Sequence, residues 1–182
     1  MGPEGNGVHR LTFRGLVQSA HYGSSTPRPL SPRGRMKKPQ AFLVVGHSNW
    51  GKSRTVRALT GDRWGRVSLI GHTFFVRLMS NDDLPLARYQ SFIRRLRPAR
   101  DPLVVAPYCP EQSRNNPLLR TWAERYSLRF WVLEHSYVGD RRITAEEIAQ
   151  LRRYGSVDVF PRCGAEATDR ARALTRFIAS HV

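Results

Sequence analysis

Cysteine is nearly absent: Cys109 and Cys163 are the only two in 182 residues. Two thiols build no disulfide framework, and their separation lacks the paired spacing of a zinc site. A reducing compartment is the default. Long apolar runs are missing too. No stretch approaches the roughly 18–20 consecutive apolar residues that span a bilayer, and no apolar h-region of secretory type opens the chain. The expected setting is therefore soluble and cytoplasmic, with no membrane partner. Acidic residues are scarce, 14 Asp+Glu against 30 Lys+Arg, giving a net charge of +16. Such a surface attracts polyanions, which favours nucleotides, phosphorylated metabolites and nucleic acid as partners. The length suits one domain of roughly 140–180 residues, too short for multi-domain motors, two-lobed helicases or transporters.

Residues 1–39 stand apart. Gly, Pro, Ser and Arg dominate them, no apolar periodicity persists, and seven basic residues face Glu4 alone. This composition predicts a disordered basic extension. A nucleic-acid arm and an Arg-rich transit peptide share that composition. A start-site extension fits as well, because Met36-Lys37-Lys38-Pro39-Gln40 makes a basic start just ahead of the first strand. Of the net +16, +10 belongs to residues 40–182, so the globular part is basic in its own right.

From Ala41 onward, short apolar runs alternate with amphipathic segments, the pattern of βα units around a mostly parallel sheet. Strands are predicted at Ala41–Val45, Thr73–Leu78, Leu103–Ala106, Leu128–Leu133 and Val157–Phe160. Helical spacing links Leu86, Tyr89, Phe92, Ile93 and Leu96, and again Leu118, Leu119, Trp122 and Tyr126. Thr144 and Glu147 form a capping box, with Gly155 placed to end the helix that follows. A last helix from about Thr168 to His181 presents Ala171, Leu174 and Ile178 on one face. The fold class expected is α/β, a three-layer sandwich with a five-stranded sheet over residues 40–182.

Directly after the first strand the chain reads Gly46-His47-Ser48-Asn49-Trp50-Gly51-Lys52-Ser53, a match to G-x-x-x-x-G-K-[ST] at every fixed position. It resembles the Walker A element of the P-loop NTPase superfamily. Glycines there permit left-handed turns that point successive amides inward, and the resulting anion nest runs into a helix N-terminus. The resemblance implies a nucleoside triphosphate, ATP or another NTP, on Gly46 to Ser53 with Arg54 and Thr55 at the helix start. It also implies Lys52 over the β- and γ-phosphates and the Ser53 hydroxyl on Mg²⁺. The competing reading is a Gly-rich turn that happens to contain Lys-Ser.

Absences sort the superfamily. No N-K-x-D or L-S-G-G-Q motif occurs, and the third strand ends Ala106-Pro107-Tyr108-Cys109 rather than in Asp. The pattern is most similar to small P-loop kinases, which take their acidic residue from the end of the second strand. Here Asn81-Asp82-Asp83 follows that strand. Asp82 is the metal candidate and Asp83 the candidate to accept a proton, although Asn-Asp-Asp before Pro85 also makes a helix cap. Glu134 ends the fourth strand and is the second acidic candidate; its structural alternative is a salt-bridged strand end. His47 and His135 are expected to be polar surface or loop residues.

Arg141 and Arg142 stand where a lid would emerge and are the candidates to neutralise a transferring phosphoryl group. A solvated basic face is the alternative. Arg94, Arg95, Arg97 and Arg100 suit a small anionic acceptor or nucleic-acid phosphates. Two activities follow as expectations: a kinase-like enzyme transferring or hydrolysing the γ-phosphate, or a slow-turnover NTP-binding regulatory or nucleic-acid-associated protein. A module with a vestigial nucleotide site is the third.

Overall fold

A computed structural model describes residues 39–110 and 117–182, all within the compact unit Lys37–Val182. The predicted extension, apart from Pro39, lies outside the described residues. Six strands form one sheet in the order β2-β3-β4-β1-β5-β6. They are β1 (Gln40–Val45), β2 (Gly65–Leu69), β3 (His72–Val76), β4 (Leu103–Tyr108), β5 (Ser127–Leu133) and β6 (Gly155–Phe160). Five are parallel; β2 pairs antiparallel with β3. The helices are α1 (Lys52–Thr60), α2 (Leu86–Arg95), α3 (Pro117–Arg125), α4 (Ala145–Arg152) and α5 (Ala167–Ala179). Among the described residues no helix is long and apolar enough to cross a membrane.

All six residues of β1 are buried, which is why it reads as an unbroken apolar run with no alternation. Its flanks are β4, in register Gln40 to Leu103, and β5, in register Gln40 to Ser127. Adjacent residues of β3 reveal the two faces of the sheet. Phe74 packs on Phe42, which meets Phe177 of α5 edge-on at 6.0 Å. Phe75, pointing the other way, meets Phe92 of α2, and Phe92 meets Trp122 of α3. Helices thus cover both faces, α1 beside α5 and α2 beside α3.

All five expected strands are present, and β2 makes a sixth that the sequence reading lacks. Its residues Gly-Arg-Val-Ser-Leu bury only Val67, so it has no apolar run to detect. Gly61 caps α1 in the left-handed conformation at φ 60°, and Thr144 with Glu147 makes the expected box at α4. Gly155 has a different role from the one expected. The C-cap of α4 is Arg153, while Gly155 opens β6 so close to β5 that a Cβ would lie 2.2 Å from the Leu128 carbonyl oxygen.

The β2–β3 hairpin turns through two residues, Ile70 at φ 45° and Gly71 at φ 80°. Two left-handed residues suit this tight connection, but a β-branched side chain at positive φ is strained. Ile70 is 40% exposed, so it recovers little by burial. Ile70→Asn is expected to stabilise the chain by about 1 kcal/mol, the usual cost of placing an ordinary residue in that conformation. A denaturant melt with an unchanged slope and a higher midpoint is the measurement.

Candidate functional site

Chain connections run from β1 to one half of the sheet and later to the other, so the strand order reverses at β1. Open α/β sheets bind ligands at such a point, beyond the carboxyl ends of the strands. The 46–53 loop lies there. Gly46 N–H donates to the Tyr108 carbonyl at 3.2 Å, continuing the sheet by one bond, and Trp50 N–H donates to the His47 carbonyl. Trp50 folds its ring into the core, 3% exposed, against Gly46 and edge-on to His47. Asn49 at φ 64° and Gly51 at φ 86° supply the two left-handed bends around it. α1 then starts at Lys52 with no side-chain cap, leaving its first amides as donors at the positive helix end.

Lys52 is 4% exposed. Its ammonium donates to the His47 carbonyl at 2.8 Å and faces Asp82 Oδ2 at 3.4 Å, the same oxygen that accepts from Ser48 Oγ at 2.7 Å. Burial pushes the Asp82 carboxyl up, but hydrogen bonds from Ser80 and Ser48 and the Lys52 charge together hold it below the usual carboxylate range. Asp82 Oδ1 is buried and has no hydrogen-bond partner among the described residues. Residues 48–54 floor a cleft of ≈ 460 Å³, walled by Ser80, Asp82, Asp83, Tyr137 and Arg170.

The structure therefore brings together Ser48, Asn49, Trp50, Gly51, Lys52, Ser53, Arg54, Asp82 and Asp83. Three other residues expected at the nucleotide stand back from the cleft. Gly46 is buried in the loop base, and His47 lies behind it with Nε2 3.3 Å from Glu147 Oε1. Thr55 is wholly buried, and its hydroxyl donates to the Gly51 carbonyl at 3.0 Å. Asp83 lines the cleft, and its Oδ2 accepts from Ser80 N–H at 2.7 Å in a capping box.

Glu134 sits at the end of β5 but is bound by Arg142 within a tight hairpin, where His135 bridges Arg142 and Ser136 N–H donates to the Arg141 carbonyl. Arg142 is thus tied to a carboxylate. Arg141 remains exposed and lines a smaller cavity with Ser48, Asn49 and Tyr137. His135 is half-buried, 3.8 Å from Glu134. Of the first basic cluster, Arg95 joins Arg77 and Arg88 around a groove of ≈ 500 Å³ that begins at Leu84, next to Asp83.

Three contributors escaped the sequence reading. Asn81 is fully buried and exchanges two bonds with the end of β4, Nδ2–H to the Cys109 carbonyl at 2.9 Å and Cys109 N–H to Oδ1 at 2.6 Å. This pair fixes the turn that carries Asp82. Tyr137 closes one side, its hydroxyl donating to Glu166 at 3.1 Å. Arg170 reaches the loop from α5, with Nη1 donating to the Trp50 carbonyl at 2.9 Å. A signal existed for Arg170 alone: it shares the spacing of Leu174 and Phe177 on the buried stripe of α5.

No protein-family profile matches the chain, and neither a curated protein nor a solved structure matches it significantly.

Asn81→Ala removes both bonds to Cys109 and is expected to cost about 1–3 kcal/mol in a denaturant melt. Asp82→Asn tests the electrostatics. A carboxyl held below its ordinary value adds stability that is complete above about pH 4 and lost as pH falls through the lowered value. The stability gap between wild type and Asp82→Asn should be full at pH 7 and should close in acid, read from melts across that range.

Proposed function

We propose that the chain is a P-loop-type protein that binds a nucleoside triphosphate on the 46–53 loop and transfers the γ-phosphoryl group to a small anionic acceptor. The observation that carries this reading is Lys52: a buried ammonium at the start of an uncapped helix, in a cleft whose floor is loop backbone. Such an arrangement suits a polyphosphate and no neutral ligand. The cleft volume lies within the range of about 300–1,000 Å³ usual for small-molecule sites.

Among the described residues no three His, Cys, Asp or Glu side chains cluster to hold a metal by themselves. A Mg²⁺ ion of the kind that accompanies phosphates needs only one or two protein oxygens. The buried, unpartnered Asp82 Oδ1 and the Ser53 hydroxyl fit that role. Bound there, the ion would supply charge neutralisation of the phosphate oxygens.

In the transfer, an acceptor oxygen forms a bond to the γ-phosphorus, the bond from that phosphorus to the β–γ bridging oxygen breaks, and the nucleoside diphosphate departs. The acceptor proton passes to a carboxylate at the exposed lip, for which Asp83 is the candidate. Lys52 stabilises charge on the transferring group. The groove of Arg77, Arg88 and Arg95 adjoins Asp83, and none of the three forms an ion pair among the described residues. That groove is the proposed seat of an acceptor bearing phosphate or carboxylate.

A second reading, slow-turnover NTP binding without transfer, is favoured by the pairing of Glu134 with Arg142. Among the described residues this leaves Asp82 and Asp83 as the acids on the cleft wall. Acceptor-stimulated production of the diphosphate supports transfer, while a slow basal rate indifferent to every anionic acceptor supports the second reading.

ATP or GTP with Mg²⁺ at 100 times its dissociation constant should add about 2.7 kcal/mol, or roughly 5–10 °C in Tm. Lys52→Ala is expected to weaken binding by about 10–100-fold and, at the same ligand concentration, to cut that shift to about 0.4–1.4 kcal/mol. An equal shift in wild type and variant would reject the nucleotide site.

A further inference from the structure

We infer that Arg170 is a second polyphosphate-binding cation of this cleft, delivered by α5, and that with Lys52 it makes the site favour ligands carrying several linked phosphates. This deepens the nucleotide reading and rests on it.

The placement of Arg170 is unusual for an arginine. Only 6% of it is exposed, and it lines the cleft. Its guanidinium packs so tightly on the loop that a Cβ at Gly51 would lie 2.6 Å from Nη2. The second glycine of the motif thus supplies the positive φ and leaves the room in which this guanidinium sits. Nη1 is satisfied by the Trp50 carbonyl, but Nε is buried with no hydrogen-bond partner among the described residues.

A direct counter-ion is missing as well among the described residues, although Glu166 acts on the guanidinium from a distance. Arg170 forms no ion pair among the described residues. Glu166, one turn earlier, is exposed and accepts from Tyr137. Exposed Arg54 adds a further positive charge nearby.

A brace for the Trp50 carbonyl requires only a neutral donor, which an amide side chain provides without the penalty of burying a charge. A buried guanidinium in a cleft that also holds a buried ammonium, with Asp82 the one carboxylate at that ammonium among the described residues, calls for an anion. Arg also presents a planar fork of donors suited to phosphate oxygens. Lys52 and Arg170 meet different stretches of the loop, one at the His47 carbonyl and the other at Trp50 and Gly51. A chain of two or three phosphates can engage both, whereas a single phosphate engages one.

The test is titration of the whole protein with ATP, tripolyphosphate, pyrophosphate and orthophosphate, comparing wild type with Arg170→Gln and Arg170→Lys. For wild type, affinity should rise steeply with phosphate number, and the base-free tripolyphosphate should bind. Arg170→Gln should lose tenfold or more for ATP and tripolyphosphate, less for orthophosphate, with its ligand-free Tm within a few degrees of wild type. Arg170→Lys should recover part of the loss. If Arg170→Gln binds tripolyphosphate as tightly as wild type, the inference is wrong while the nucleotide site stands. A uniform loss for all four ligands together with a falling Tm assigns Arg170 to bracing alone and also overturns it. If wild type binds none of the four, the nucleotide reading itself fails.

Discussion

β1 is hydrogen-bonded along both edges for its whole length, and that constraint decides where everything else goes. A central parallel strand has no free edge at which to bend, so its chain leaves only at the carboxyl end and must turn at once into a covering helix. The turn is residues 46–51, and Trp50 pins it by lodging in the core. With the tryptophan inward, the backbone of Asn49, Gly51 and the first turn of α1 faces outward. One apolar anchor thus converts a strand-to-helix connection into a platform of amide donors beside a buried lysine.

The platform is completed from elements distant in sequence. Asn81 docks the turn after β3 onto the end of β4 through paired hydrogen bonds, and that turn places Asp82 against Ser48 and Lys52. β4 ends in Tyr108, and among the described residues its end supplies no acid; Asn81 docks there, and its neighbour Asp82 brings the carboxylate to the loop. Arg170 approaches from α5 on the other side. The cleft is therefore a junction of three loop ends and one helix, and its geometry is as stable as those few polar contacts.

How much of this was legible depended on how local the cause was. The strands β1, β3, β4, β5 and β6 could be read because burial on the sheet faces forces apolar runs. The turn at 46–53 from β1 into α1 could be read because its glycines set local backbone bends fixed by the chain itself. β2 could not, since an edge strand with one buried residue carries no periodicity, and its hairpin turn uses Ile70 where Asn would have announced it. In sequence, Asn81 reads as part of a turn and helix cap before Pro85. Its partner lies 28 residues away, and only β3 lying beside β4 brings them together. Arg142 read as a mobile cation until the hairpin folded it back on Glu134.

The charges of the cleft explain why such a site costs the fold something without an anion. Lys52 is buried with half of one carboxylate, Asp82 Oδ2, and Arg170 is buried with a carbonyl. Desolvation opposes both, and it depresses the Arg170 guanidinium below its usual range even against the raising effects of Glu166 and Tyr137. A fold selected for stability alone would replace Arg170 by an apolar residue of similar length, because the stripe it occupies on α5 is otherwise Ala171, Leu174, Phe177 and Ile178. Buried positive charge in excess of its one paired carboxylate, Asp82, is stored electrostatic potential. A ligand carrying the opposite charge would release it on entry, so the feature that weakens the empty cleft would strengthen an occupied one.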